Sequence, residues 1–146
     1  MTEDADSLGV ALFSEMLAAD HLVRARLGRV LPKGMELSHF SVLNALATAR
    51  EERTPADLAR QVRLTKGAMT NTLAKLEWAG HVHIRPDWDD ARRKRVALSP
   101  SGRAARDAAI AALRPVLSEA VRDIGAERVR AALPVLRALR QRFGAD

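Results

Sequence analysis

TPADLARQVRLTKGAMTNTLAKLEWAGHV, residues 54–82, is the stretch whose reading decides the fold. Thr54 is a good helix N-cap, Pro55 suits the first helical position, and Asp57 stands three residues after the cap, so a short helix opens here. Its inner face is Leu58, Ala59 and Val62. A brief break at "RLT" precedes a second helix from about Lys66 to Ala79. Gly80 closes that helix, because glycine takes the left-handed C-terminal conformation without a steric cost. Met69, Leu73 and Leu76 recur at steps of four and three and mark the buried stripe. Thr70, Asn71, Ala74 and Lys75 fall outside the stripe; they are polar or small, and none is acidic.

Downstream, "HVHIRP" (81–86) alternates as a strand does, with Val82 and Ile84 against His81, His83 and Arg85. "RVALS" (95–99) is a second strand with Val96 and Leu98 inward. The acid-base run that begins at Asp87 therefore lies at a hairpin tip. Two helices joined by a tight turn and followed by a hairpin make a winged helix-turn-helix, which places its second helix in a DNA major groove. Lys66 in the first turn is placed to reach a phosphate, and the first-turn amides, with Gly67 allowing close approach, add phosphate donors. Thr70, Asn71 and Lys75 lie about a turn apart and suit base edges, Asn for adenine and Lys for guanine. Taken alone, the same helix reads equally well as an amphipathic surface helix that lacks acids. The capped helix before it and the basic hairpin after it favour the DNA reading.

Upstream, Leu8, Leu12, Met16, Ala19, Val23, Leu27 and Val30 recur at helical steps and predict one long helix over 8–31, stopped by "LPKG" (31–34). Ser38 is the expected N-cap of the next helix, with Phe40, Leu43 and Leu46 on one face, ended by the polar "TAREER". From Pro100 onward the chain is helical and rich in Ala, Leu and Arg. A break or bend is expected near Pro115 and another at "DIGAE" (123–127). The last helix covers about 126–143, with a kink at Pro134.

The chain has 146 residues, about one domain's worth. It has no cysteine, which removes disulfides, thiol chemistry and Cys-ligated zinc. The formal charge is +6, and its distribution matters more than its size. Residues 53–106 hold 12 of the 24 Lys and Arg but only 5 of the 18 Asp and Glu, a net of +7. The rest of the chain is close to neutral. A concentrated basic region is the electrostatic footprint of a polyanion binder, although many basic surfaces are merely solvated. The first twenty residues lack the basic region of a secretory signal, and no apolar run of about 18 residues occurs, so the expectation is a cytoplasmic protein without a membrane partner.

At this point the sequence resembles the MarR family of bacterial transcriptional regulators. The resemblance runs from about Ser38 to Gly102. It rests on the stretch quoted above and on "RPDWDDARRKRVALSPSG" (85–102). The family's Leu-Glu-x-x-Gly at the end of the recognition helix is met by Leu76, Glu77 and Gly80. Its wing Asp-x-Arg is met by Asp90 and Arg92, and the run after it by Val96, Leu98, Ser99 and Gly102. Ser99 stands where Thr is usual, and Asn71 where Arg is frequent, so base preference differs. The resemblance implies a mainly α homodimer with a two-stranded β-hairpin wing. Residues 1–35 and 101–146 would form the dimerisation region, and 36–100 the winged helix-turn-helix. It also implies double-stranded DNA as partner, a near-palindromic operator, more often repression than activation, and release by a small aromatic or phenolic effector. Arg92 would enter the minor groove, with Asp90 orienting it by a charge-assisted hydrogen bond. Asp87 and Asp89 are read as solvated loop residues. The expected DNA-binding set is Thr65, Lys66, Gly67, Thr70, Asn71, Lys75, Asp90, Arg92, Arg93 and Lys94. Spacing assigns no effector pocket; Arg24, Phe40 and Trp78 are possible lining residues that read more simply as structural.

Other constellations are weaker. His81 and His83 share a strand face at a spacing that suits a metal, but no Cys or acid accompanies them in the strand. Asp87, Asp89 and Asp90 form a carboxylate cluster on a hairpin tip where Arg92 and Arg93 compete for them. No phosphate loop, nucleophile triad or zinc-protease spacing occurs, so neither an enzyme nor a cofactor is expected. The remaining alternative is a winged-helix protein-interaction module without a specific DNA site.

Overall fold

The computed structural model describes residues 4–49 and 51–144. Six helices and two strands follow in the order α1 (Ala5–Val30), α2 (Leu37–Thr48), α3 (Pro55–Val62), α4 (Lys66–Trp78), β1 (Val82–Pro86), β2 (Lys94–Leu98), α5 (Pro100–Ile124) and α6 (Ala126–Phe143). The protein is mainly α with a two-stranded antiparallel wing. It divides into two compact units, Met1–Ala112 and Leu113–Asp146.

The core of the first unit gathers the inner faces of α2, α3, α4 and the wing. Val42, Leu43, Leu58, Met69, Val82 and Val96 are its fully buried large side chains, joined by Leu46, Leu73 and Leu76. Each such side chain withdrawn from water contributes about 1.5–3 kcal/mol. The stripe read from the sequence of α4 is the buried one. α3 opens as expected: the Asp57 amide donates to the Thr54 hydroxyl at 3.1 Å, and Pro55 needs no donor partner in the first turn. The α3–α4 turn is made by Arg63, the one described non-glycine residue with positive φ, at 59°. Gly80, at φ +78°, ends α4 in the left-handed region.

Two expectations change here. The N-cap of α2 is Glu36 rather than Ser38. Its amide donates to Nδ1 of His39 at 3.1 Å, so the helix starts before Ser38. That bond needs an imidazole whose Nδ1 carries no proton. His39 is buried, and burial first, then the nearby Lys75 and His81 charges, lower its pKa, against an opposing pull from Glu36. The expected break at Pro115 is also absent: α5 runs unbroken from Pro100 to Ile124. A proline there removes one N–H donor to the carbonyl four residues back, and the remaining ladder of an Ala-rich helix carries the chain through. The chain breaks instead at Gly125 (φ +107°), where "DIGAE" predicts it. Pro134 lies inside α6.

The hairpin register pairs Ile84 with Val96 and Arg85 with Arg95. Arg53 extends the sheet as an isolated bridge: its amide donates to the Val96 carbonyl at 3.2 Å, and the Val96 amide donates back at 2.7 Å. The wing is thus fastened to the loop before α3. It is also fastened to the start of α5, where Ser99 Oγ donates to the Gly80 carbonyl at 2.6 Å and accepts from the Gly102 amide at 3.0 Å. Gly102 is required there, because a Cβ would lie 2.0 Å from the His81 carbonyl oxygen.

By contrast, α1 buries none of its 26 residues. Leu8, Leu12, Phe13, Met16, Leu17 and Val23 are exposed along it. α6 also has no buried residue, and Leu133, Val135 and Leu136 are exposed on it. No described helix is long and apolar enough to cross a membrane.

Candidate nucleic-acid interface

The N-terminus of α4 is built by Thr65, whose hydroxyl accepts from the Ala68 amide at 3.1 Å. The Lys66 and Gly67 amides belong to the first turn, which has no intrahelical acceptors, so they point off the helix end beside a positive dipole. Nothing lies within 4 Å of where a Gly67 Cβ would stand. Gly67, Asn71, Ala74 and Trp78 recur at steps of four, three and four and form the middle of the exposed face. Trp78 is 92% exposed. Thr70 donates its hydroxyl to the Lys66 carbonyl at 2.9 Å, which leaves its methyl group and an acceptor lone pair facing outward.

The wing tip is ordered by its own acids. Asp90 accepts from the Arg92 amide at 3.0 Å and from Arg92 Nε at 3.1 Å. These Arg92 hydrogen bonds, side chain first, hold the Asp90 carboxyl below the usual carboxylate range. The Arg92 side chain is itself 92% exposed. Asp87 corrects the sequence reading. It is not a solvated loop residue: its side chain is only 9% exposed and accepts from Arg95 Nε at 3.0 Å and from the Asp89 amide at 2.9 Å. Those bonds, the Asp89 amide first, lower its pKa. Arg85, across the hairpin, pairs with Glu52 at 2.6 Å.

One cleft brings the two halves of the expected site together. Lys66 and Thr70 of α4 line it with Arg92, Arg93 and Lys94 of the wing, and the floor comes from Thr54–Asp57 and Arg60 of α3. Its one acid, Asp57, is paired with Arg60. Thr65, Gly67 and Asn71 lie outside that lining but are exposed on or beside α4. Lys75 does not join them. It lines a second cleft with Pro32–Met35, His39, Trp78 and His81, on the flank of α4 turned away from the wing. Of the three side chains considered for an effector, Trp78 lines this second cleft; Arg24 and Phe40 are not in its lining.

Residues 33–93 match the family model described as MarR family. A curated relative, the transcriptional activatory protein BadR of Rhodopseudomonas palustris, is 32% identical over 73 residues, 49% of this chain and 42% of that protein. The chain therefore aligns with less than half the length of this relative. The crystal structure of the transcriptional regulator BldR from Sulfolobus solfataricus superposes with a TM-score of 0.86 at 26% identity, covering 96% of this chain and 99% of that one.

Over residues 33–93 the chain is similar to the MarR family.

A mutant MarR from E. coli complexed with operator DNA shares the fold, with a TM-score of 0.80 at 22% identity over 94% of this chain and 99% of that one. MarR-family proteins are transcriptional regulators, not enzymes. Most of the matching motif in this chain does structural work. Leu76 and Val96 are core, Gly80 is a left-handed cap, and Ser99 with Gly102 locks the wing to α5. Asp90 and Arg92 are the motif residues left at the surface of the wing. The sequence reading missed Trp78 as part of the outward face of α4 and missed the Glu52–Arg85 and Asp87–Arg95 pairs. The 67–71–74–78 spacing carried the first signal. The second lay in the strand register, where Asp87 falls diagonally from Arg95 on one face.

Proposed function

We propose that this chain is a homodimeric, DNA-binding transcriptional regulator that reads a near-palindromic operator. The observation that carries the reading is the shared basic cleft between α4 and the wing, beside an α4 face without acids until Glu77. A duplex laid across it meets the Lys66 side chain and the Lys66 and Gly67 amides at phosphates. Asn71, with Thr70 beside it, meets base edges, and Arg92 meets the minor groove, with Arg93 and Lys94 on the flanking backbone. Lys75, on the far flank, serves a neighbouring phosphate or the second cleft better than a base. The exposed apolar faces of α1 (within 1–35) and of α5 and α6 (within 101–146) suit a twofold partner, with 36–100 as the reading unit. Half-sites would then lie about 34 Å apart. A small aromatic or phenolic effector in the cleft beside Trp78 would alter that spacing.

Repression, by occupying an operator, is the first reading of regulatory sense. The activatory name of the BadR relative favours activation as the second. Selection of bound fragments from the source genome, followed by a reporter driven by the selected promoter, tests both. A palindromic consensus with lower expression in the presence of the protein supports repression, and higher expression supports activation. Failure to enrich any consensus would return the chain to the class of protein-interaction winged helices.

A further inference from the structure

Trp88 stands at the wing tip with 88% of its surface exposed. It is not on a loose loop. The Asp87 amide donates to the Arg93 carbonyl at 3.0 Å, and the Arg93 amide donates to the Asp90 carbonyl at 2.9 Å. The Asp89 amide is held by Asp87 and the Arg92 amide by Asp90. Arg85 lies over the indole, 5.4 Å from its centroid, and is itself anchored by Glu52 at 2.6 Å. One face of the ring is therefore covered by a clamped guanidinium, and the rest is presented to solvent. A large apolar ring kept rigid and wet is costly unless something covers it.

The surroundings choose the partner. Two of the tip's three carboxylates, Asp87 and Asp90, are engaged by Arg95 and Arg92, while Arg92, Arg93 and Lys94 are exposed beside the ring. Apolar contact framed by exposed cations suits the wall of a DNA groove, where deoxyribose C–H surface alternates with phosphate. Intercalation needs an apolar wedge free to enter between base pairs. Arg85 over the ring argues against that and leaves the free face and edge for a sugar. On the DNA-binding reading above, we propose that Trp88 is a further DNA-contacting residue of the wing. It packs on the deoxyribose wall of the minor groove that Arg92 enters, and Arg85 is the positioning residue that holds it there.

The test uses the full chain carrying Trp78→Phe, so that Trp88 is the sole tryptophan, with a labelled 30-bp random-sequence duplex across a KCl series. Adding duplex should shield Trp88 from acrylamide about twofold or more, the ring being an amphipathic surface group that gains cover on binding. In the same background Trp88→Ala should weaken binding about 5- to 10-fold at every salt concentration, in the range of aromatic contacts to nucleic acid. The slope of log K against log salt should not change, because no phosphate charge is neutralised by the indole. Trp88→Phe should recover part of the loss, and Arg85→Gln should raise quenching of Trp88 in the free protein. Unchanged melting of Trp88→Ala establishes that the fold is intact. If Trp88→Ala binds as tightly as its parent while the parent keeps a steep salt slope, the wing contact is refuted and DNA binding stands. If the unsubstituted chain, with both tryptophans, shows no salt-dependent duplex binding, the functional reading falls and the Trp88 contact with it. Shielding that rises with protein concentration alone would place the indole between copies of the chain and overturn the proposal.

Discussion

Gly67→Ala should separate stability from DNA binding in opposite directions. The residue is in the first turn of α4, its φ is not positive, and an added Cβ meets nothing within 4 Å. The methyl group therefore brings no clash, and exchange of Gly for Ala in a helix stabilises by about 0.5–1 kcal/mol through the smaller entropy of the unfolded chain. For a chain of this size that raises the melting temperature by about 1–4 °C. Against DNA the same methyl group stands at the centre of the outward face, beside the amides proposed to meet a phosphate. Pushing the backbone away loses about one charge-assisted hydrogen bond, about 1.5–3 kcal/mol. That corresponds to roughly 10- to 100-fold in affinity. The amide carries no net charge, so the salt slope should stay near the parent value. Differential scanning fluorimetry and fluorescence anisotropy on the selected operator measure the two effects. A variant that melts higher and binds as tightly as the parent would show that DNA does not approach the start of α4. One that melts lower would refute the description of this turn.

Arg92→Ala should weaken duplex binding and reduce the salt slope by about one unit, because a cation that displaces a counterion from the minor groove is lost. Asp90→Ala should also weaken binding, by loosening the tip; tighter binding by that variant in the anisotropy assay would recast Asp90 as a repulsive group. Gly102→Ala drives a Cβ to 2.0 Å from the His81 carbonyl and should destabilise by about 1–3 kcal/mol or more as the wing parts from α5, read by chemical denaturation. His39 has a lowered pKa, so the unfolded chain binds its proton more readily than the folded one. Stability from this residue is full above the ordinary histidine value and is lost as pH falls below it through the folded value. The melting temperature should drop on acidification through that window, and His39→Gln should flatten the drop; equal drops in both proteins would remove His39 as the cause.

The elements that follow from short-range patterns were legible in the sequence. Thr54-Pro55-Asp57 opens α3, the 69–73–76 spacing gives the inner face of α4, and alternation about Val82 and Val96 gives the wing. What was not legible depends on contacts distant in sequence or on competition between local signals. Ser38 has the better capping side chain, yet the His39 imidazole two positions inside the helix settles the start at Glu36. Asp87 is eight residues from Arg95, and only the hairpin register places them side by side. Lys75 follows Asn71 by one turn, which suggests a common face. But a step of four drifts about 40° round a helix of 3.6 residues per turn, and from Asn71 it takes Lys75 to the flank with Pro32–Met35.

Binding of the 146-residue chain to its selected operator, measured by anisotropy from low to high KCl, tests the central claim most directly. A shared basic cleft on each of two protomers, taking about six or more phosphates in all, predicts a log–log slope of about −5 or steeper. The same slope with lower affinity is expected on random duplex. Weak binding that barely changes with salt on both duplexes would contradict the account.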